Sequence, residues 1–246
     1  MLPRTLVHPR ERVYFVLLVL VSVVVYIGLV VSIVGMLWLL VWGVILLHAH
    51  GMFWGMIRGN ALRISEQQLP EVHAMTVDLA HRMGFRVVPA VYVLQAGGSM
   101  NAFAAKFLRS TYVVIFSDVL ELAYAQGNDA VAFVLAHELA HIHRKHLVWR
   151  ALLFPGLLIP FLGAAYQRAA EYTCDRYGAY LVPAGATPGL LALAAGKTLF
   201  ARIDPAMVVA QAREERGYWV RAAEWWSTHP HLVRRIAAVQ EREGKL

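Results

Sequence analysis

Of the 246 residues, 59% are apolar and only 16% charged, and the formal net charge is +7. That balance lies outside the range of soluble globular chains and describes a membrane protein with room for one sizeable catalytic domain. Basic residues flank apolar runs and do not interleave with aromatics along a strand, so attraction to anionic lipid, not nucleic acid, accounts for the positive charge. Cys174 is the only cysteine. No intrachain disulfide can form, a cysteine-based zinc site is excluded, and a reducing, cytosolic setting fits.

The chain opens on a basic flank with Arg4, Arg10 and Arg12, followed by no charge from Val13 to Leu47. As one helix those residues would reach about 52 Å, against a hydrocarbon core of about 30 Å. Two membrane helices use the length better, at about 13–34 and 36–57, turning near Ser32–Gly35. A cleaved signal peptide does not fit, because the apolar run is too long and no small-residue site follows. Arg58 and Arg63 after the run match the basic flank before it. Both ends are then expected on the cytoplasmic side of the cell (inner) membrane, with residues 60–246 facing the cytoplasm. The rival arrangement is one crossing followed by an interfacial helix through Trp38, Trp42 and Trp54.

Residues 61–83 show helical spacing, with Leu69, Val72, Met75, Leu79 and Met83 on one face and Gly84 as the stop. Phe85–Leu94 and Thr111–Phe116 are rich in β-branched and aromatic residues and read as strands, with Pro89 forcing an edge or a break. Gly97-Gly98 and Asn101-Ala102-Phe103 lie between them. A strand edge beside a catalytic centre can take a peptide by main-chain hydrogen bonds. Ser117 caps a short helix to about Ala125.

A longer helix follows, and inside it lies His137-Glu138-Leu139-Ala140-His141. Residues four apart share a helix face, so two imidazoles can point at one metal ion, with Glu138 beside them to act on a bound water. Zinc suits such donors. The basic group His143, Arg144, Lys145, His146 and Arg150 continues this helix, and His143 and His146 fall off the metal face as solvated or lipid-facing groups. Residues 147–165 are apolar but broken by Pro155, Gly156 and Pro160. They either dip into the bilayer, pack on the N-terminal helices or form buried core. Glu171 then opens a helical stretch with Asp175 one turn on. Glu171 can complete a three-ligand site with one open position. Asp175 can accept the free N–H of a metal-bound imidazole. The segments 187–200 and 205–226 are helical by period. Arg213–Arg216 read as a solvated face, and Trp219, Trp225 and Trp226 belong either to a membrane interface or to the core. The last helix is Leu232–Glu243.

This ordered set, His137-Glu138-x-x-His141, Glu171-x-x-x-Asp175, Asn101-Ala102-Phe103 and His229-Pro230, resembles the HtpX-type membrane zinc metallopeptidases. It is similar at the same motifs to the type I CAAX prenyl endopeptidases. The resemblance covers about residues 60–240. It implies a gluzincin fold, mainly α with a small β-sheet, behind the transmembrane hairpin. It implies that His137, His141 and Glu171 bind one Zn2+, that Glu138 is the catalytic base, and that Asn101, Ala102 and Phe103 contact a peptide or protein substrate. His229 and Arg235 are placed near the site, where either can stabilise the negative charge that develops on a scissile carbonyl. The expected protein is a membrane-anchored zinc endopeptidase, with membrane-protein quality control as one use. A zinc-stabilised scaffold without turnover is the alternative, against which Glu138 argues.

Overall fold

The computed structural model describes residues 2–97, 101–108 and 110–243. Gly98 therefore lies outside the described residues. Helices α1 (Pro9–Val31) and α2 (Ile33–Asn60) form a hairpin whose turn is almost a single residue. Ser32 leaves the helical conformation, and its Oγ accepts from Gly35 N at 3.2 Å, which caps α2 without a polar loop. Gly35 is required there because a Cβ would lie 2.3 Å from Leu29 O. Both helices are long and apolar enough to cross a membrane. Most of their apolar side chains, such as Leu20, Val24, Leu37 and Leu40, are exposed, as lipid-facing groups would be.

After the hairpin come β1 (Leu62–Arg63), α3 (Pro70–Arg82), β2 (Ala90–Leu94), β3 (Ala102–Phe107) and β4 (Ser110–Phe116). The helix expected from residue 61 begins only at Pro70. Proline occupies its first turn, and Leu69 before it adopts φ 61, so the apolar spacing upstream is not helical. Pro89 likewise breaks the expected strand, and only its second half pairs. The sheet order is β1-β2-β4-β3, with β2 parallel to β4 and the other pairs antiparallel. Strand β4 is central and alternates faces. Val113 and Ile115 enter the main core. Tyr112 and Val114 pack with Ile57 and Trp54 of α2. The Trp54 and Tyr112 rings stack at 3.8 Å between centroids. The last turns of α2 thus cover the sheet and do not belong to the apolar span.

Helices α4 (Ser117–Gln126) and α5 (Asp129–His143) follow. Every residue from Ala130 to Ala140 is buried, so α5 is the hydrophobic centre of the domain. The chain then breaks at Lys145, where φ is 59, and restarts as α6 (His146–Leu152) and α7 (Phe154–Leu157). The expected continuous helix to Arg150 is absent for that reason. Segment α7 lies on α1: Gly156 N donates to Ser22 Oγ at 3.1 Å, and Leu153 and Tyr166 pack with Leu18. Residues 153–166 therefore pack on the N-terminal hairpin and are not a fully buried core segment, since Phe154, Leu158 and Phe161 are left exposed.

Helix α8 (Leu162–Leu181) runs back along α1, and α9 (Pro183–Ala195) completes the layer over α5. The chain ends in α10 (Pro205–Glu214), α11 (Tyr218–Trp226) and α12 (Leu232–Glu243). The domain is mainly helical with one four-stranded sheet.

The close approach of α5, α8 and α9 depends on glycine. A Cβ on Gly185 would sit 1.9 Å from Asp129 O, and one on Gly178 or Gly189 would strike the Phe133 ring at 2.7 Å. Gly185→Ala should therefore lower stability by about 1–3 kcal/mol through overpacking against backbone. Gly59→Ala, where nothing lies within 4 Å, should not. Thermal unfolding of both variants in the same detergent checks this.

Candidate metal centre

Helix α5 brings His137 and His141 to one face, one turn apart, and α8 carries Glu171 opposite them. The two Nε2 atoms are 3.3 Å apart. Glu171 Oε2 lies 3.4 Å from His137 Nε2, and Oε1 lies 3.3 Å from His141 Nε2. A tetrahedral ion with donors at about 2.0–2.1 Å requires donors separated by about 3.3–3.4 Å. The two nitrogens and the carboxylate, which turns one oxygen to each ring, have that spacing. The outer nitrogens of both rings already face partners within the protein, which leaves the Nε2 lone pairs converging on each other and on a carboxylate. A cation between them satisfies all three.

The surrounding groups fix this triangle. Asp175 Oδ1 lies 3.0 Å from His137 Nδ1, off the ideal hydrogen-bond line. Arg235 grips Asp175 with both arms, Nε to Oδ2 at 2.8 Å and Nη2 to Oδ1 at 2.6 Å, and its Nη1 reaches Glu171 Oε2 at 3.3 Å. Burial opposes ionisation of both carboxylates. Hydrogen bonds from the two histidines, with Arg235 behind them, nevertheless hold Glu171 well below the usual carboxylate range, and Arg235 does the same for Asp175. Burial also opposes a proton on His137, but hydrogen bonds to Asp175 and Glu171 outweigh it and lift the pKa to about 10.

His141 has a partner chain that its sequence does not announce. His146 Nδ1 lies 3.1 Å from His141 Nδ1, and His146 Nε2 lies 3.3 Å from Glu11 Oε1. The expectation that His146 is solvated or lipid-facing is therefore wrong: the residue is 2% exposed. The left-handed turn at Lys145 swings it back beneath His141. His146 is not among the three converging donors, as expected. Burial outweighs the neighbouring Glu11 and draws its pKa down to about 4, so the ring is neutral. His143 packs edgewise on Phe85 and beside Tyr177, away from the triangle.

Cys174 lies on the same helix as Glu171, and its sulfur is within 4.8 Å of ligand atoms of His137 and His141. The sequence expectation left no place for a cysteine here. The thiol is fully buried, and burial together with the Glu171, Glu11, Glu138 and Asp175 carboxylates pushes its pKa well above the ordinary value. Its sulfur also lies 3.7 Å from His146 Nδ1.

The triangle opens into a cleft lined by Asn101, Phe103, Glu138, His229 and Arg235 among others. Glu138 faces this cleft beside His137. Strand β3 forms its rim, paired only on its β4 side among the described residues. Asn101 Oδ1 accepts from Ala102 N at 2.9 Å, and its carbonyl accepts from Phe116 N, so the start of the edge is held rigid. His229 is 65% exposed at the side chain, and its Nε2 stands 3.5 Å from Glu171 Oε1. Its loop is fixed by Arg168 of α8, whose Nη1 donates to the carbonyls of Glu224 and Ser227 at 2.6 Å.

An H-E-x-x-H helix and a later glutamate helix close on one ion-sized gap, under an edge strand and beside an apolar hairpin, which is the layout of a metallopeptidase-like fold. The family model of peptidase family M48 matches residues 66–160 and 151–243, and the chain belongs to that family. It is similar to the plastoglobule-localized metallopeptidase 48, chloroplastic, of Arabidopsis thaliana, at 27% identity over 212 residues, 74% of this chain and 60% of the relative. The crystal structure of S. mikatae Ste24p shares the fold, with TM-score 0.53 at 17% identity over 83% of this chain and 57% of that one. The chain thus spans 60% or less of the length of these two proteins.

In the metal-free protein the proton on His137 is bound at neutral pH, because its pKa lies near 10, and a metal ion must displace it. Metal uptake should therefore release protons and strengthen as pH rises from 6 to 8. Calorimetric titration in buffers of different ionisation enthalpy measures this. Glu171→Gln should lose the ion, while Cys174→Ala should keep one per chain by elemental analysis.

Proposed function

We propose that the protein is a zinc-dependent endopeptidase that cleaves peptide bonds of protein substrates at a membrane surface. The observation that carries this reading is the ion-sized triangle of His137, His141 and Glu171 opening onto Glu138 at the floor of a cleft. Two imidazoles and a carboxylate with a fourth position free are the donor set of a catalytic zinc site; a purely structural site is closed. Bound there, the ion supplies Lewis acidity to a water and to the scissile carbonyl.

The chain's own groups supply the rest. Glu138 accepts the proton of the attacking water and delivers it to the leaving nitrogen. His229 presents Nε2 to the cleft, while its Nδ1 lies 3.1 Å from the Thr228 hydroxyl. With that hydroxyl donating to Nδ1, the ring proton sits on Nε2, aimed where a carbonyl oxygen gains charge. One such donor is typically worth about 2.7–4 kcal/mol. Arg235 does not share this task. All its nitrogens face Asp175 and Glu171, so its part is to hold those carboxylates. The free edge of β3, from Asn101 through Phe103, takes the substrate as an added strand.

The membrane setting rests on the hairpin. Both its ends meet the catalytic domain: Glu11 reaches α8, and Trp54 and Ile57 reach the sheet. This supports two crossings, with the domain on the basic, cytoplasmic side. Trp219, Trp225 and Trp226 are exposed and do not fill the core. With Phe161 against Trp226 at 4.7 Å, they form an aromatic face beside the segment that rides on α1. Such a face suits the lipid headgroup level. Quality control of membrane proteins fits a cleft at that height.

Glu138→Gln should retain one zinc per chain and lose hydrolysis of a casein-like substrate by at least about 10²-fold. Unaltered hydrolysis would remove Glu138 from its role, and wild-type protein that binds zinc without any turnover would favour the scaffold.

A further inference from the structure

We infer that Glu11, in the first turn of the membrane helix, is a positioning residue for the metal ligand His141, acting through His146. This rests on the reading of His137, His141 and Glu171 as a metal centre. It makes the start of α1 a working part of that centre as well as the root of an anchor.

Glu11 is 3% exposed although it stands next to the basic N-terminal flank, where water would be available to a carboxylate. Burying a charge there is costly unless it is fully partnered. Its partners come from two separate parts of the catalytic domain, the α5–α6 turn and α8. Arg144 Nη2 donates to Oε1 at 2.8 Å, His146 Nε2 lies 3.3 Å from the same oxygen, and the Thr173 hydroxyl donates to Oε2. His8 N in turn donates to Thr173 Oγ1 at 2.9 Å. An ion pair with Arg144 alone would serve as well at the surface. The contact with His146 is what burial adds.

Proton placement gives that contact a direction. His141 turns Nε2 toward the ion position, so Nδ1 carries its hydrogen and donates to His146 Nδ1. His146 then carries its own hydrogen on Nε2 and donates to Glu11. Only this alternation gives every short contact in the row one donor and one acceptor. A carboxylate at the end of such a row fixes the ligand ring and raises its basicity, and loss of such a partner typically weakens metal affinity 10–100-fold. His137 has Asp175 for the same purpose. His141 has no acidic neighbour at its outer nitrogen except Glu11, reached through a second imidazole.

The test uses the full-length chain in detergent, loaded with zinc. The measurement is the rate of zinc transfer to a chromogenic chelator, together with the visible spectrum of the cobalt-substituted protein. Glu11→Ala should speed zinc release at least 10-fold and shift the cobalt bands, and Glu11→Gln, which keeps the acceptor and loses the charge, should fall between it and wild type. Leu190→Ala, a core variant in α9 remote from the row, reports general loosening. At a comparable fall in Tm it should change release less than about threefold. Release from both Glu11 variants at the wild-type rate, or no faster than Leu190→Ala at matched Tm, overturns the inference and leaves the metal centre standing. Wild-type protein that holds no stoichiometric zinc overturns the metal reading itself.

Discussion

Two imidazole Nε2 atoms 3.3 Å apart, each within 3.4 Å of one oxygen of the Glu171 carboxylate, are an unfavourable arrangement unless something positive sits among them. Two unprotonated imidazole nitrogens and a carboxylate would repel at that distance. The fold nevertheless holds them there, and much of its architecture serves that end. Helix α5 is buried on all sides, so His137 and His141 cannot turn away without disturbing the core. Helix α8 is pressed against it by Gly178 meeting Phe133, which sets the depth at which Glu171 stands. Preorganisation of this kind moves the cost of assembling a metal centre into the folding of the domain.

Charge balance explains the surrounding residues. Glu171 and Asp175 are both buried and ionised, and Arg235 neutralises only one of the two charges. Without a metal ion, the proton on His137 supplies the other, which accounts for its raised pKa. A divalent ion held by His137, His141 and Glu171 would take the place of that proton. Glu11 and Arg144 form a separate, self-balanced pair, so the His146 row reaches His141 without adding net charge.

Some of this was legible in the sequence. The spacing of His137 and His141, the later Glu171 and Asp175, the hairpin length and the last helix are all set by local periodicity, and the structure has each. Other features depend on contacts between distant segments. The turn at Ser32 needs no polar loop because Ser32 caps its own successor. Strand β3 is too rich in alanine to announce itself, and it forms because β4 offers an edge. His146 falls off the metal face only if the helix continues, and the single left-handed residue at Lys145 has no glycine or asparagine to mark it. Glu11 lies in the basic flank, and nothing near it in sequence reveals a partner more than 130 residues away.

The same distant contacts fix where the chemistry lies relative to the bilayer. Thr173, two residues beyond Glu171, meets Glu11 at the start of α1, whereas Gly156 meets Ser22 near its middle. Eleven residues of helix separate these two levels, a rise of about 16 Å. If α1 crosses the bilayer, α7 lies at mid-depth and the metal centre at the boundary where the apolar run begins. A polar cleft with buried carboxylates is tolerable at that level and not deeper, because water still reaches it. The proline breaks after Arg150 fit the same geometry. They let the chain descend along α1 and return as α8 within a short interval, so Glu171 arrives opposite the two histidines from the membrane side. The segment between the second histidine and the glutamate, packed on α1, is in this sense the connection that brings Glu171 to the two histidines.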